Sequence, residues 1–242
     1  MELELPTRTP VTGFFGQTAF RYANYDTPFW ARNNRSSGRW HMVGDGATQY
    51  LSLDPDAAWA DLVRAENLRA AADLDLVRMK IWAVTLTQEN IVDYSTFELA
   101  EAAGFPPDAL VDDDRSRCQA EGHRLREEGH AGVISPSAAL PGALNITLFG
   151  RRVRARWGVP TKLASAIPCC IVAVGGPPPD LVDRVRYEGD LHAGYEEYVA
   201  LKAQREREAR FADPERPGVP VRRPPDINAP EDQASATPED LD

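Results

Sequence analysis

Apolar and polar residues alternate with two different periods along this chain. In TQYLSL (48–53) the period is two: Leu51 and Leu53 fall on one face, and Tyr50 and Ser52 on the other. That pattern predicts a half-buried strand, and FRYA (20–23) has the same make-up. MKIWAVTL (79–86) predicts a buried strand; GVISPS (132–137), ALNITLF (143–149) and CCIVAV (169–174) predict three more. The period changes at LDPDAAWADLVRAENL (53–68). Asp54 suits an N-cap, Pro55 the first helical position and Asp56 the first turn, so a helix is predicted over Pro55–Ala72. A second is predicted over Asp113–Glu128, and a shorter one in FELAEAAG (97–104), ended by its glycine.

Helix and strand signals are mixed rather than regularly alternating, and long loops separate them, notably Asn24–Gly46. The reading is one α+β domain over residues 1–212. LHAGYEEYVALKAQREREARF (191–211) is rich in helix formers and becomes increasingly charged, as a terminal helix running into solvent would. The last thirty residues, from Asp213, contain seven prolines and few apolar side chains, which predicts a disordered, acidic tail over 213–242.

Composition narrows the function classes. The formal net charge is -10, which disfavours nucleic acid over most of the surface but allows a local cationic pocket for a small anion. The three cysteines, Cys118, Cys169 and Cys170, form no disulfide framework and fit a reducing cytoplasm. With no CxxC pair and four scattered histidines, no metal site is expected. The first residues lack the features of a signal peptide, and no apolar run approaches the roughly 20 residues of a membrane span. Neither a P-loop nor a G-x-G-x-x-G fingerprint is present.

Four positions stand out as candidate chemistry. Arg39 lies in RNNRSSGRW (32–40), a loop whose guanidiniums can wrap a phosphate or carboxylate or simply stand in water. Tyr50 faces away from the leucines of its strand, either over a cleft or under another part of the domain. Asp61, two turns into its helix, has Ala57, Ala58 and Ala65 around it; it is either approachable by a ligand or paired with Arg64 at i+3. Ser137 sits at a strand end before the Pro141–Gly142 turn, available for chemistry or satisfying that turn. It is not in a G-x-S-x-G elbow.

Taken together, FRYA, GRWHMVGDGATQYLSLDPDAAWADLVR (38–64) and GHAGVISPSAALPGALNITLFG (129–150) closely resemble the RES domain family, over roughly Arg21 to Phe149. The resemblance implies a fold similar to that of ADP-ribosyltransferases and an NAD-degrading toxin of a bacterial toxin–antitoxin pair. It places the catalytic residues at Arg39, Tyr50, Asp61 and Ser137, with Asp61 where the family usually has glutamate. It also implies that Arg21, Arg39, His41, Tyr50 and Ser137 bind NAD; His41 stands where the family pattern has asparagine. Glu66, at i+5 from Asp61, points about 140° away on the helix. NAD is substrate, and no metal or further cofactor is implied.

The chemistry suits these residue types. Breaking the nicotinamide–ribose bond builds positive charge on the ribose, which an adjacent carboxylate stabilises. Arginines hold the pyrophosphate, an aromatic ring can stack on nicotinamide, and a hydroxyl can bond its amide. Hydrolysis, phosphorolysis and ADP-ribose transfer all break this same bond. A different reading is a catalytically weakened domain that binds a nucleotide or partner, suggested by aspartate at position 61. A cognate antitoxin carrying a helix-turn-helix part is the implied partner. Direct nucleic-acid and membrane contacts are not expected.

Overall fold

A computed structural model describes residues 9–212. Of these, residues 9–201 cluster as one compact unit, and Lys202–Ala212 are described as the continuation of a helix. The tail expected over 213–242 lies outside the described residues.

The unit is a mixed α+β domain. Its strands are β1 (Val11–Tyr22), β2 (Thr48–Ser52), β3 (Met79–Asp93), β4 (Gly132–Pro136), β5 (Leu144–Phe149), β6 (Val153–Arg156) and β7 (Ala166–Gly175). Its helices are α1 (Pro55–Ala65), α2 (Ala71–Leu74), α3 (Phe97–Ala102), α4 (Ser116–Glu127) and α5 (Ala193–Ala212). Short 3-10 turns cover Pro107–Leu110 and Pro179–Asp183. No described helix is long and apolar enough to cross a membrane.

The strand order is β1-β2-β5-β4-β3-β7-β6, and β1 also pairs with β3. These pairings close a ring of five strands, β1-β2-β5-β4-β3, with β7 and β6 extending from β3. One cluster draws buried side chains from every strand of the ring, including Ala19, Leu51, Trp82, Ile134 and Ile146; it fills the inner side. The opposite face carries Phe20, Tyr22, Tyr50, Ser52 and Asn145, because Phe20 pairs with Ser52 and Ser52 with Asn145, and successive side chains alternate. Helix α1 covers part of that outer face through Ala57, Ala60 and Val63, which pack with Phe20 and Tyr22. Trp40, Val92, Tyr94, Phe97, Phe105, Cys118 and Leu125 are among the residues of a neighbouring apolar cluster, where the Tyr94 and Phe105 rings stack at 5.3 Å and Trp40 lies 6.1 Å from Phe105.

The predicted strands all form, but three (β1, β3 and β7) are longer than the pattern indicated and one was missed. FRYA is only the end of β1, whose first half contains Gly13 and Gly16, and β6 (VRAR) has no apolar run to betray it. Helix α1 starts as predicted, with Asp54 accepting the Asp56 N–H at 2.7 Å, but it ends at Ala65 rather than Ala72. The reason is Asn67, which adopts φ 52° and breaks the helical path. Helix α4 begins at Ser116 rather than Asp113: Asp114 accepts the Ser116 N–H, and the Asp113 carboxylate turns away to bind Arg186 and the Gly189 N–H.

Gly122 shows how tightly α4 seats on the chain around Trp40. A Cβ there would lie 2.3 Å from the Trp40 carbonyl oxygen and 2.9 Å from its carbon. Gly122→Ala should therefore lower stability by about 1–3 kcal/mol, the usual cost of overpacking. Urea unfolding measures this, and an unchanged midpoint would mean that α4 does not rest on this backbone.

Candidate functional site

Trp40 positions Arg39. Its indole is buried in the apolar cluster, and its backbone is held on both sides: the N–H donates to the Tyr50 hydroxyl at 2.9 Å, and the carbonyl accepts from Arg126 at 3.2 Å. Arg126 also donates to Thr48 Oγ1 at 2.9 Å, tying the loop to β2. Arg39 then projects beside this anchor and donates from one terminal nitrogen to the Ala109 and Asp112 carbonyls, at 3.3 and 2.8 Å. It forms no ion pair among the described residues, so part of its donor fork remains for a ligand.

The Tyr50 hydroxyl is the hinge of the loop. It accepts the Trp40 N–H and lies 2.8 Å from His41 Nδ1, while His41 Nε2 lies 2.9 Å from the Ser36 carbonyl. A carbonyl only accepts, so the imidazole proton sits on Nε2, and the Tyr50 hydroxyl donates to Nδ1. Burial lowers the His41 pKa and raises that of Tyr50, which keeps both groups neutral. Gly38 is required here, since a Cβ would come within 2.5 Å of the Tyr50 hydroxyl. Both ring nitrogens of His41 are thus occupied within the loop; NAD binding through them would require those bonds to break.

Asp61 faces the same outer surface. Asn145 Nδ2 lies 3.2 and 3.4 Å from its two oxygens, and Ser52 Oγ donates to Asn145 Oδ1 at 2.8 Å, orienting the amide. Burial pushes the Asp61 carboxyl up to about 6, against the lowering effects of Asn145, Arg64, Arg39 and Arg115. Desolvation therefore outweighs one hydrogen-bonding amide and three nearby cations. Tyr22 is close enough for Asp61 to help burial raise its hydroxyl to about 12.

Arg64 is not the partner of Asp61. It turns to Asp113 in a short ion pair and donates to the Ala138 carbonyl at 2.9 Å. Asp113 is shared with Arg186 at 2.8 Å, so one carboxylate stands between two largely buried guanidiniums. Burial, then the charges of Arg186 and Arg39, lower Arg64 to about 10, which still leaves it cationic at neutral pH. Burial would raise Asp113, but the Gly189 N–H, Arg186 and Arg64 hold it below its ordinary value.

Ser137 lies at the end of β4, fully buried. Its Oγ accepts the Ala139 and Leu140 N–H groups, at 3.3 and 3.1 Å, and so satisfies its own turn. Its carbonyl accepts from His192 Nε2 at 3.0 Å, and His192 Nδ1 accepts the Tyr195 N–H at 3.2 Å. The start of α5 is thereby fastened to this turn, which Arg64 joins to the Asp61 region.

Arg39 is near enough to act by charge on both Tyr50 and Asp61, and Ser137 adjoins through Arg64. Arg21 acts by charge on Tyr50 as well, but it lies on the opposite face of β1 from Phe20 and Tyr22, donates to Gln49 Oε1 at 3.1 Å and has its guanidinium 5.7 Å from the Trp30 ring centre. Burial lowers it to about 10. Sequence reasoning missed Tyr22, Asn145, Arg186 and His192. Of these, only Tyr22 carried a signal, the alternation within FRYA. Among the described residues no group of three or more histidine, cysteine or acidic side chains could hold a metal ion.

Two outcomes follow from this geometry. Tyr50→Phe should leave the Trp40 N–H without its acceptor and lower stability by about 1–3 kcal/mol, read by urea unfolding. The Asp61 carboxyl titrates near 6 when folded, against about 4 when unfolded. Its contribution to stability is therefore full below about pH 4 and lost as pH rises through about 6. The melting temperature of Asp61→Asn relative to the parent should accordingly rise between pH 4 and 7; a constant difference would show a solvated carboxylate.

A model of the RES domain family matches residues 16–170. The NAD(+) phosphorylase MbcT of Mycobacterium tuberculosis is 29% identical over 147 residues, covering 58% of this chain and 77% of that protein. A second protein of that organism, described as a probable NAD(+) phosphorylase, is 29% identical over 115 residues, covering 48% of this chain and 54% of its own length. The fold is also that of a chain in the M. tuberculosis MbcT–MbcA toxin–antitoxin complex, with a TM-score of 0.52 and 22% identity over 73% of this chain and 92% of that one. The matched segment runs from within β1 into β7 and contains Arg39, Tyr50, Asp61 and Ser137: this chain belongs to the RES domain family.

Proposed function

We propose that this chain consumes NAD by breaking the bond between nicotinamide and ribose, with inorganic phosphate as acceptor. The observation that carries the reading is Asp61, a desolvated carboxyl held by Asn145 in the field of Arg39, Arg64 and Arg115. A partly desolvated carboxylate interacts more strongly with the cationic ribose of the transition state than one in bulk water, which is where its charge is most useful. Arg39 contributes its uncommitted donors to the pyrophosphate and so fixes the ribose against Asp61. The surplus of guanidiniums suits a site that must accept two anions, NAD and phosphate. Phosphate rather than water as acceptor is supported by the relatives named NAD(+) phosphorylases.

Tyr50 contributes through its ring, since its hydroxyl is committed to the loop. Ser137 contributes by shaping the turn beside the site, its remaining hydroxyl proton being the one group it can offer a ligand. A cognate antitoxin as partner, and restraint of a toxin by it in the cytoplasm, rest on the likeness to the toxin–antitoxin complex.

Purified protein incubated with NAD should release nicotinamide only when phosphate is supplied, with phosphorylated ADP-ribose as the second product. Free ADP-ribose without phosphate would indicate hydrolysis, and ADP-ribose attached to protein would indicate transfer. Arg39→Ala and Asp61→Asn should each lower turnover by about 100-fold or more, as misplacement or loss of a positioned group does; Asp61→Glu should preserve or raise it. If Asp61→Asn matches the parent, the carboxylate is misassigned. Because the carboxyl must be ionised, kcat/KM should fall as pH drops through about 6.

A further inference from the structure

We infer that the sheet edge formed by β6 and the second half of β7 docks an extended, acidic segment of a partner protein as an added strand. Strand β6 ends at Arg156, opposite Cys169, but β7 continues to Gly175 and pairs there only with β3 on its other side. From Ile171 to Gly175 no strand among the described residues covers the outer edge. Ile171, Val172 and Val174 are 42, 53 and 72% exposed. Exposed edges are ordinarily protected by charge, proline or a bulge that turns them away; Ile171–Val174 contains neither charge nor proline, and a register shift against β3 at Val172 is the one such feature it carries.

The charge of this region is opposite to that of the chain. From Gly150 to Pro179 there are five cationic side chains and no acid, in a protein of net charge -10. Arg151, Arg156 and Lys162 are exposed and have no ion-pair partner among the described residues. Where β6 stops, a depression of about 380 Å³ opens between Arg154, Arg156, Trp157, Cys169 and Cys170, large enough for a side chain of the incoming segment. Unpaired backbone and exposed aliphatic side chains favour a polypeptide over a nucleic acid, which offers neither a strand ladder nor apolar side chains to cover the valines. The cations favour acidic residues in that polypeptide.

The test uses the full chain and fluorescence anisotropy with a labelled ten-residue peptide of alternating valine and glutamate. Saturable binding is expected, weakened at least tenfold by the paired substitutions Arg156→Glu and Lys162→Glu, and likewise by Val172→Lys with Val174→Lys. NAD turnover should be unchanged in both variants, which also shows that they are folded. A valine–lysine peptide and a short DNA duplex should bind at least tenfold more weakly. Equal binding by the charge-reversed variant, or preference for DNA or the lysine peptide, would overturn the proposal. So would sedimentation showing a dimer that the valine substitutions dissociate, since the edge would then be filled by a second copy.

Discussion

Strand β1 pairs with β3 along most of its length and meets β2 at the Phe20–Ser52 pair, and the candidate site depends on that closure. Once the ring is shut, its inside must be apolar, and alternation sends every second residue of β2 and β5 outward. Tyr50, Ser52 and Asn145 reach the outer face for this reason. Helix α1 then lies across part of that face and brings Asp61 to Asn145, while the chain around Trp40 brings Arg39. Opening one pairing would shift the register of polar groups drawn from three separate elements.

Electrostatics oppose this arrangement as much as they support it. Three arginines act on Asp61, yet its carboxyl is still harder to ionise than a free one. Withdrawal from water is the larger effect, as expected where burial removes more solvation than neighbouring charges restore. The same balance lowers Arg64. Two guanidiniums share one carboxylate and the surplus cation is left unneutralised, which favours an incoming anion. A net negative chain thereby keeps a positive locus.

The elements legible in the sequence were those with local causes. Alternation marked β2, and Asp54, Pro55 and Asp56 marked the start of α1. The end of α1 was not legible, because Asn67 entering the left-handed region is a choice of conformation rather than of composition. Strand β6 was hidden since VRAR forms a strand only through pairing with β7. At the site, residue types were legible and partners were not. Arg64 was set against Asp61, its helical neighbour, but binds Asp113, 49 residues away, and the Ser137 turn is held by His192, 55 residues away. Arg21 shows the same limit from another side: the pleat of β1, which its position in the chain does not disclose, puts it on the face opposite Phe20 and Tyr22, against Gln49.

The family match ends at residue 170, yet Arg186, Gly189 and His192 lie beyond it and are bonded to Asp113 and the Ser137 turn. Tyr198 extends the attachment with a 2.6 Å bond to Glu101 in α3. The recurring segment and the folding unit therefore have different ends. In gene fusions, a foreign domain joined soon after Cys170 would sever these attachments even though every shared family residue was retained. A junction placed after Tyr198 would leave them whole, so modular exchange in such proteins is constrained by a seam that recurrence of sequence does not mark.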